Sequence, residues 1–337
     1  WDKLSFLNKV SLRNLVKNKL RVLMVILGVA GSFGLSAMGF GIQDSVKNVG
    51  PRQFGQVYKY NAQLIFDDKA DDYDKWSKDL DQAVEDKIAI IAEQGTITTP
   101  DGFNEDVSIS ATNETTRFLD FVELRKRSTE KNYQLEDNKV IISEKLAMTL
   151  DLSEGDTFKF IDSKGMEHSI EVQDITEQYF NHVVYMTKTT FNKKIDPDKD
   201  LNSYLVKFKD PSNEQVEQIK TDLSQYKSNS AFVPVYSLED TLNTLSDSLN
   251  VIILMIIIVS ALLTFVVLYN LTNINISERY KEISTIKVLG FRSNEVASYI
   301  FKENYILTLV GIIAGIFIAK LMHSIIVFSL SSDSFLF

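Results

Sequence analysis

The sequence predicts an α-helical transmembrane bundle with a large α+β extracytoplasmic domain inserted between its first two spans. Two apolar runs without charge, residues 22–42 and 249–270, are each long enough for a helix to cross about 30 Å of hydrocarbon. A third span is predicted over residues 296–328, where a charge-free core is followed by Lys320 and His323. The region between the first two spans, residues 43–248, is long enough to bury a core of its own.

Basic residues on both flanks predict the orientation. Residues 1–21 carry six basic side chains against one acid, and their recurring leucines predict an amphipathic helix in the cytoplasmic interface. Residues 271–295, between the second and third spans, also carry basic residues, so both segments are predicted to be cytoplasmic. Residues 43–248 and the tail 329–337 then lie outside. The external region holds 24 basic and 39 acidic residues, a net charge of −15, against −9 for the whole chain.

The external region is predicted to mix helices and strands. A strand "AQLIF" precedes an acidic helix in which Trp76, Leu80, Val84, Ile88 and Ile91 follow helical spacing as far as Gly95. Alternation predicts strands in "NEDVSISATN" and "RFLDFVEL". A strand-rich module follows over about residues 117–194, with tight turns at Gly155 and at Lys164–Gly165. A strand, a helix capped by Ser212 and a last strand lead to the second span. Strand, helix and strand at both ends suggest a split β-α-β layer around the module.

No catalytic or metal site is predicted in this chain. It has no cysteine, no phosphate-binding GxxxxGK[ST] loop, and three histidines too widely spaced for a short metal motif. Asp196, Asp198 and Asp200 imitate the start of a calcium loop, but Leu201 and Lys207 replace the required glycine and glutamate. The acidic run over residues 67–74 fits a solvated helix start, with a docking face for a cationic ligand as the alternative.

Small residues in the spans predict close helix packing. Gly311 and Gly315 form a GxxxG pattern that Ala319 extends in the third span, and Gly28, Gly31 and Gly34 thin one side of the first span. Such stripes let another helix approach closely in lipid. No acid lies within a span to indicate an ion path.

The stretch "SERYKEISTIKVLGFRSNEV", residues 277–296, is a short amphipathic segment between two spans. It predicts a helix of about three turns, too short to be stable alone in water. Gly290 is placed to cap its end. Two interpretations stay open: an interfacial turn, or a docking helix that carries force from a cytoplasmic partner. The candidate coupling residues are Glu282, Ile283, Ile286, Lys287, Leu289 and Gly290.

This stretch, followed by "YIFKENYILTLVGIIAGIFIA", resembles the coupling helix and third span of FtsX-like ABC permeases, the group that includes MacB-type and lipoprotein-releasing transporters. The first span "LRNLVKNKLRVLMVILGVAGSFGLSAMGFGIQDSV" and the module segment "VIISEKLAMTLDLSEGDTFKF" resemble the same family. The resemblance covers nearly the whole chain in order. Family members have four spans per unit, so the three visible here imply a partial permease, most like the C-terminal unit of a two-unit chain.

The resemblance implies a transport and coupling subunit rather than an enzyme. It implies a dimeric cytoplasmic ABC ATPase that binds ATP and Mg on a separate chain, and a second permease unit in a bacterial plasma membrane. It also implies mechanotransmission, with a lipid, lipoprotein or peptide handled at the outer face. One alternative is the same machine relaying motion to an external enzyme or sensor. Another is a membrane-anchored receptor without any ATPase.

Overall fold

The computed structural model contains three long helices and a mixed α+β domain, and it describes residues 19–100, 102–278, 280–288 and 293–330. The helices are α1 (Lys19–Arg52), α2 (Tyr73–Ala83), α3 (Thr115–Phe121), α4 (Glu144–Thr149), α5 (Lys188–Lys194), α6 (Asn213–Leu223), α7 (Val235–Glu278), α8 (Tyr280–Val288) and α9 (Ser293–Leu330). A π-helical turn, Gln53–Val57, continues α1. Most of the predicted interfacial helix 1–21 and most of the tail 329–337 lie outside the described residues.

Three of the described helices are long and apolar enough to cross a membrane. These candidate spans are Val22–Val57, Val235–Ile274 and Asn304–Ile326. They fall where the sequence predicts spans, because long runs of apolar side chains without charge are stable as helices in hydrocarbon. α1 and α7 both extend beyond the apolar runs toward the α+β domain.

The domain between α1 and α7 is built on one ten-stranded sheet. Its strands are β1 (Ala62–Phe66), β2 (Val84–Thr98), β3 (Asn104–Thr112), β4 (Val140–Ser143), β5 (Thr157–Ile161), β6 (Glu167–Glu171), β7 (Asp174–Thr176), β8 (His182–Thr187), β9 (Ser203–Phe208) and β10 (Asn229–Pro234). The order is β10-β1-β9-β2-β3-β8-β4-β7, and β5 pairs with β2 and β6. β3 and β8 run parallel, as do β4 and β7. The strand-rich module, assigned from the sequence to about residues 117–194, therefore shares its sheet with the earlier β3.

The predicted acidic helix is wrong in its second half. The helix α2 ends at Ala83, and residues 84–98 form the long strand β2. The first half of β2 pairs with β9 through Ile90, and the second half pairs with β3 from Ile91 onward. Over a short window the apolar positions of β2 fit both the period of a helix and the period of a strand. Only the partner strands, which are distant in sequence, decide between helix and strand.

The strand predicted for "RFLDFVEL" is also wrong. Residues 115–121 form the helix α3, which buries Phe118 and Phe121 completely. These two rings are three positions apart, so they lie on one face of a helix. Val122 follows in extended conformation and makes an isolated bridge to Tyr58.

Separate apolar clusters stabilise the α+β domain. α2 and α6 cover one layer of the sheet, where Trp76, Leu80, Val206 and Val216 are buried. A second cluster fills the strand-rich module; its buried members include Ile97, Val107, Phe158, Phe160, Ile170, Val184, Met186 and Phe191. Because β2 contributes residues to more than one cluster, the two layers share one continuous strand.

The two predicted glycine turns are confirmed. Gly155 has a φ of +95° and donates its N–H to the Val172 carbonyl at 2.8 Å. Gly165 has a φ of +81° and closes the β5–β6 hairpin through a 2.9 Å bond to the Asp162 carbonyl. Both backbone conformations lie in the left-handed region that favours glycine.

Candidate functional site

The predicted coupling segment contains the helix α8, Tyr280–Val288, between α7 and α9. Glu282, Ile283, Ile286 and Lys287 lie on this helix, whereas Leu289 and Gly290 lie outside the described residues. Ser284 and Thr285 donate their hydroxyls to the carbonyls four residues earlier, at 2.8 and 2.9 Å. The side chains of Tyr280 and Val288 are 69% and 87% exposed. The helix thus presents large apolar groups that the described residues do not cover.

The small residues of the spans lie where helices approach most closely. A Cβ added to Gly311 would lie 2.8 Å from the Val29 Cβ, and one added to Gly315 would lie 2.9 Å from the Ala30 carbonyl oxygen. α9 therefore contacts α1 directly along the GxxxG stripe, and Ala319, one turn further on, is also buried.

The stripe on α1 contacts two different helices. A Cβ on Gly34 would lie 3.0 Å from Ile318 of α9, and one on Gly28 would lie 2.9 Å from Val267 of α7. A Cβ added to Gly31 would meet no described atom outside its own helix within 4 Å. Four of the six small residues, Gly28, Gly34, Gly311 and Gly315, thus lie in close contact with a neighbouring span, and their packing role stays a prediction.

Uncharged hydrogen bonds join the spans at three levels. The Gln43 amide donates to the Asn250 amide oxygen at 2.9 Å, and the hydroxyls of Ser36 and Ser260 are hydrogen-bonded to each other. The Asn304 amide donates to the Thr272 hydroxyl at 2.9 Å. These bonds connect α7 to α1 and to α9. In lipid such bonds hold helices in register, because a polar group finds few alternative partners there.

Lysine side chains pair with two of the three acids that imitate a calcium loop. The Lys164 ammonium lies 2.5 Å from Asp196, and Lys188 lies 3.0 Å from Asp200. Hydrogen bonding to Lys164 lowers the pKa of Asp196. Among the described residues no cluster of three His, Cys, Asp or Glu could hold a metal ion.

The acidic run before α2 is partly structural. The Asp72 carboxylate accepts bonds from the backbone N–H groups of Lys227 and Ser228 at 2.7 and 3.0 Å, and from the Ser228 hydroxyl at 2.5 Å. The hydroxyl bond is the largest cause of the lowered pKa of Asp72. This carboxylate ties the start of α2 to the chain before β10.

His182, the first residue of β8, is deeply buried. It is 4% exposed, and neither ring nitrogen has a hydrogen-bond partner among the residues that the structure describes. Burial, with a smaller contribution from the positive charge of Lys145, lowers the pKa of His182 to about 4. The imidazole therefore stays neutral at physiological pH.

Sequence reasoning missed a partly buried polar cluster, which we call the linkage cluster: Arg52, Gln53, Arg125, Glu177 and Tyr179. Arg125 is the first of three consecutive basic residues, and it forms a 2.6 Å ion pair with the nearly buried Glu177. Its members lie up to 127 positions apart, so no local motif joins them. A polar stretch, "TEQYF", between two strands is the only sequence signal.

Two family models match the chain. The MacB-like periplasmic core domain matches residues 20–226, and the FtsX-like permease C-terminal region matches residues 254–337. This chain belongs to the FtsX-like permease family. Its α+β domain is a MacB-like periplasmic core. The resemblance seen in the sequence is confirmed, and so is the class of a membrane bundle with an inserted extracytoplasmic domain.

Two solved structures are similar to the external domain of this FtsX-like permease. One is the periplasmic region of MacB from Actinobacillus actinomycetemcomitans, at 11% identity and a TM-score of 0.31, over 56% of this chain and 94% of that one. The other is the extracellular domain of the noncanonic ABC-type transporter YknZ from Gram-positive bacteria. It shows 13% identity and a TM-score of 0.30, over 52% of this chain and 98% of that one. No curated protein gives a significant match.

Membership of the family makes the chain a membrane permease subunit of the ABC transporter class, which works in general with an ABC ATPase.

Proposed function

We propose that this permease couples ATP hydrolysis by a separate cytoplasmic ATPase to movements of its extracytoplasmic domain, and so acts on a lipid, lipoprotein or peptide at the outer face. The observation that carries the proposal is the uninterrupted length of the helix α7. α7 is one helix of 44 residues, about 66 Å long, whereas about 20 residues suffice to cross the hydrocarbon. A helix of this length links the chain next to α8 with the chain that leaves β10.

The helix α8 is the proposed ATPase contact. It follows α7 closely and precedes α9, so a partner that binds α8 acts on two spans at once. Its exposed Tyr280 and Val288 provide apolar surface of the kind that dominates small interfaces. Ile283 and Ile286 are the proposed anchors, and Glu282 and Lys287 the proposed rim charges. The ATP and Mg would be held by the partner chain.

Recovery of the ATPase with the permease tests this assignment. The Ile286→Ala variant should recover clearly less ATPase than the wild type, whereas Glu282→Ala should lose little, because rim charges contribute little. Ile325→Ala is the matched control, since Ile325 is a 59% exposed isoleucine on the spanning helix α9. Equal recovery for Ile286→Ala and Ile325→Ala would exclude α8 as the docking element. Absence of any ATPase with the wild type would favour the receptor alternative.

The proposed orientation places the N-terminus and α8 in the cytoplasm. An impermeant amine reagent on intact cells should therefore label Lys164, whose side chain is 60% exposed in the external domain, and not the exposed Lys281 of α8. Lys59 should react more weakly, because both ammonium groups are paired at 2.5 Å but the Lys59 side chain is only 36% exposed. Labelling of Lys281 without Lys164 would reverse the orientation and remove the coupling assignment.

A further inference from the structure

Two segments carry the chain between the spans and the external sheet. We call residues 46–57 the first stalk and residues 235–245 the second stalk. The first contains the end of α1 and the π-helical turn before β1, and the second is the start of α7 after β10. The β7–β8 loop of the strand-rich module, residues 177–181, shares an apolar cluster with residues of both stalks.

Tyr179 in this loop makes the apolar part of the contact. Its side chain is 2% exposed and forms one cluster with Val49 of the first stalk, against which Leu242 of the second stalk also packs. The guanidinium of Arg127 lies over the tyrosine ring, 6.0 Å from its centroid. One small apolar cluster thus brings the Tyr179 ring together with side chains of both stalks.

The linkage cluster adds hydrogen bonds between the loop and the first stalk. Arg52 donates to the Tyr179 hydroxyl at 3.1 Å, and the Tyr179 backbone N–H donates to the Gln53 side-chain oxygen at 2.8 Å. The Tyr179 hydroxyl in turn donates to Glu177. Arg125 bridges Glu177 and Gln56 of the first stalk, with bonds of 2.6 and 2.8 Å.

The bonds from the Tyr179 backbone to Gln53 and from its hydroxyl to Glu177 are buried, which makes their geometry specific, whereas the bond to Gln56 is exposed. Gln53 is fully buried and Glu177 is 3% exposed. Burial opposes ionisation of Glu177, but hydrogen bonds from Arg125 and Tyr179 outweigh it and lower the pKa of this carboxyl. Breaking one bond leaves a buried polar group unsatisfied, which costs more than the bond itself contributes. A displacement of the first stalk therefore moves the β7–β8 loop with it, because sliding of the loop along the stalk would break these bonds.

We propose that Tyr179 is a positioning residue that fastens the β7–β8 loop to both stalks and so passes their displacement to the strand-rich module. This inference rests on the proposed mechanical function. The inference adds a second route by which helix displacement reaches the module. This route is a direct side-chain contact, and it acts in addition to the covalent path through β1 and β10.

Hydrogen exchange of the full chain in lipid nanodiscs tests the contact without any ATPase. Tyr179→Phe keeps the ring against Val49 and removes the hydroxyl bonds, so amide exchange in the first stalk should rise about tenfold. Tyr226→Phe is the matched control, since it removes a 2.5 Å bond from a tyrosine hydroxyl to the Asp79 carboxylate in the same domain. Equal first-stalk exchange in the two variants would overturn the proposal.

A double variant shows whether Arg52 and Tyr179 act through one bond. Arg52→Gln and Tyr179→Phe together should raise exchange little beyond either change alone, because both remove the same interaction. Fully multiplicative effects would mean that the two residues act independently, which would contradict the fastening role of their bond.

Motion is tested on the complex with the ATPase that co-purifies. The chain has no cysteine, so Met166→Cys in the module and Lys69→Cys in the β1–α2 loop give a unique pair of spin labels. ATP should change the label distance in the wild type and in Tyr226→Phe, but much less in Tyr179→Phe, with equal ATPase recovery in all three. A full change in Tyr179→Phe would overturn the relay through Tyr179.

The two proposals fail in different ways. If ATP leaves the label distance unchanged in the wild type, the mechanical function is wrong, and the relay is wrong with it. If the wild type responds to ATP and Tyr179→Phe responds equally, the mechanical function stands and only the role of Tyr179 is lost.

Discussion

The sheet of the external domain and the span bundle both have a glycine where two backbones approach closely, but they differ in how well they tolerate an added methyl group. A Cβ on Gly95 in β2 would lie 2.1 Å from the backbone oxygen of Ile161 in β5, whereas a Cβ on Gly315 in α9 would lie 2.9 Å from the Ala30 oxygen in α1. Strands joined by a ladder of hydrogen bonds cannot move apart without breaking it. Packed helices keep their backbone bonds within each helix and can separate slightly. Glycine is therefore a stricter requirement in the sheet.

The two regions also differ in the polar groups that they bury. The external domain places buried carboxylates beside cationic side chains, such as Glu93 beside Lys199 at 2.7 Å and Glu177 beside Arg125 at 2.6 Å. The described contacts between spans use hydroxyls and amides instead, as in Gln43 with Asn250. The difference follows from the solvent, because ions are far more costly to place in hydrocarbon than neutral polar groups.

The largest expected effect is at Gly95. Gly95→Ala should destabilise the external domain by at least about 3 kcal/mol, because the new methyl meets a backbone oxygen and not a side chain that can turn away. The measurement is denaturant unfolding of the purified chain in detergent, followed by fluorescence of the buried Trp76. Gly50→Ala is the control, since nothing lies within 4 Å of its added Cβ. Equal midpoints for the two variants would contradict the strict fit of the sheet.

Acid should destabilise the external domain through His182. The folded pKa is about 4, below the ordinary value of 6.5, so only the unfolded chain binds this proton between those two pH values. Stability is then retained above pH 6.5 and falls as the pH drops toward 4, by up to about 3 kcal/mol.

Unfolding midpoints between pH 7 and pH 4 measure this slope, and His182→Gln should reduce it. The ionisable groups near the ring are Glu105, whose carboxylate oxygen is 3.8 Å from Nε2, and Lys145. An identical slope in the wild type and the variant would show that other groups cause the acid response.

A smaller effect is expected at Gly155, where strain acts without a clash. Gly155 has a φ of +95° and no atom within 4 Å of an added Cβ. Gly155→Val should lower stability by about 2 kcal/mol and reduce the melting temperature. Gly155→Asn should lose less, because asparagine tolerates positive φ better than a β-branched residue. An unchanged melt for Gly155→Val would contradict the turn conformation.

The smallest effect is expected in the spans. Gly315→Ala should cost about 1 kcal/mol, because α9 and α1 can separate by the few tenths of an ångström that the methyl needs. Thermal unfolding in detergent measures it, with Gly31→Ala as the control because Gly31 has no neighbour within 4 Å. A loss as large as that of Gly95→Ala would remove the distinction between the two regions.

Local chemistry was enough to predict several features. Apolar length predicted the spans, and charge predicted an orientation that labelling can test. Gly155 and Gly165 were predicted at turns, where their positive φ confirms them. The coupling residues were chosen from a local pattern and stay a prediction.

The sequence by itself determined the features that depend on near neighbours along the chain: the spanning helices, the tight turns and the family. Tertiary structure decided those that depend on distant partners. Residues 84–98 became a strand because β9 and β3 pair with them, and Gly95 is a close contact and not a helix end. Tyr179 acquired its role because folding brings Arg52 to its hydroxyl. Hydrophobic periodicity indicates which face of a segment is buried, but it does not indicate which other segment covers that face.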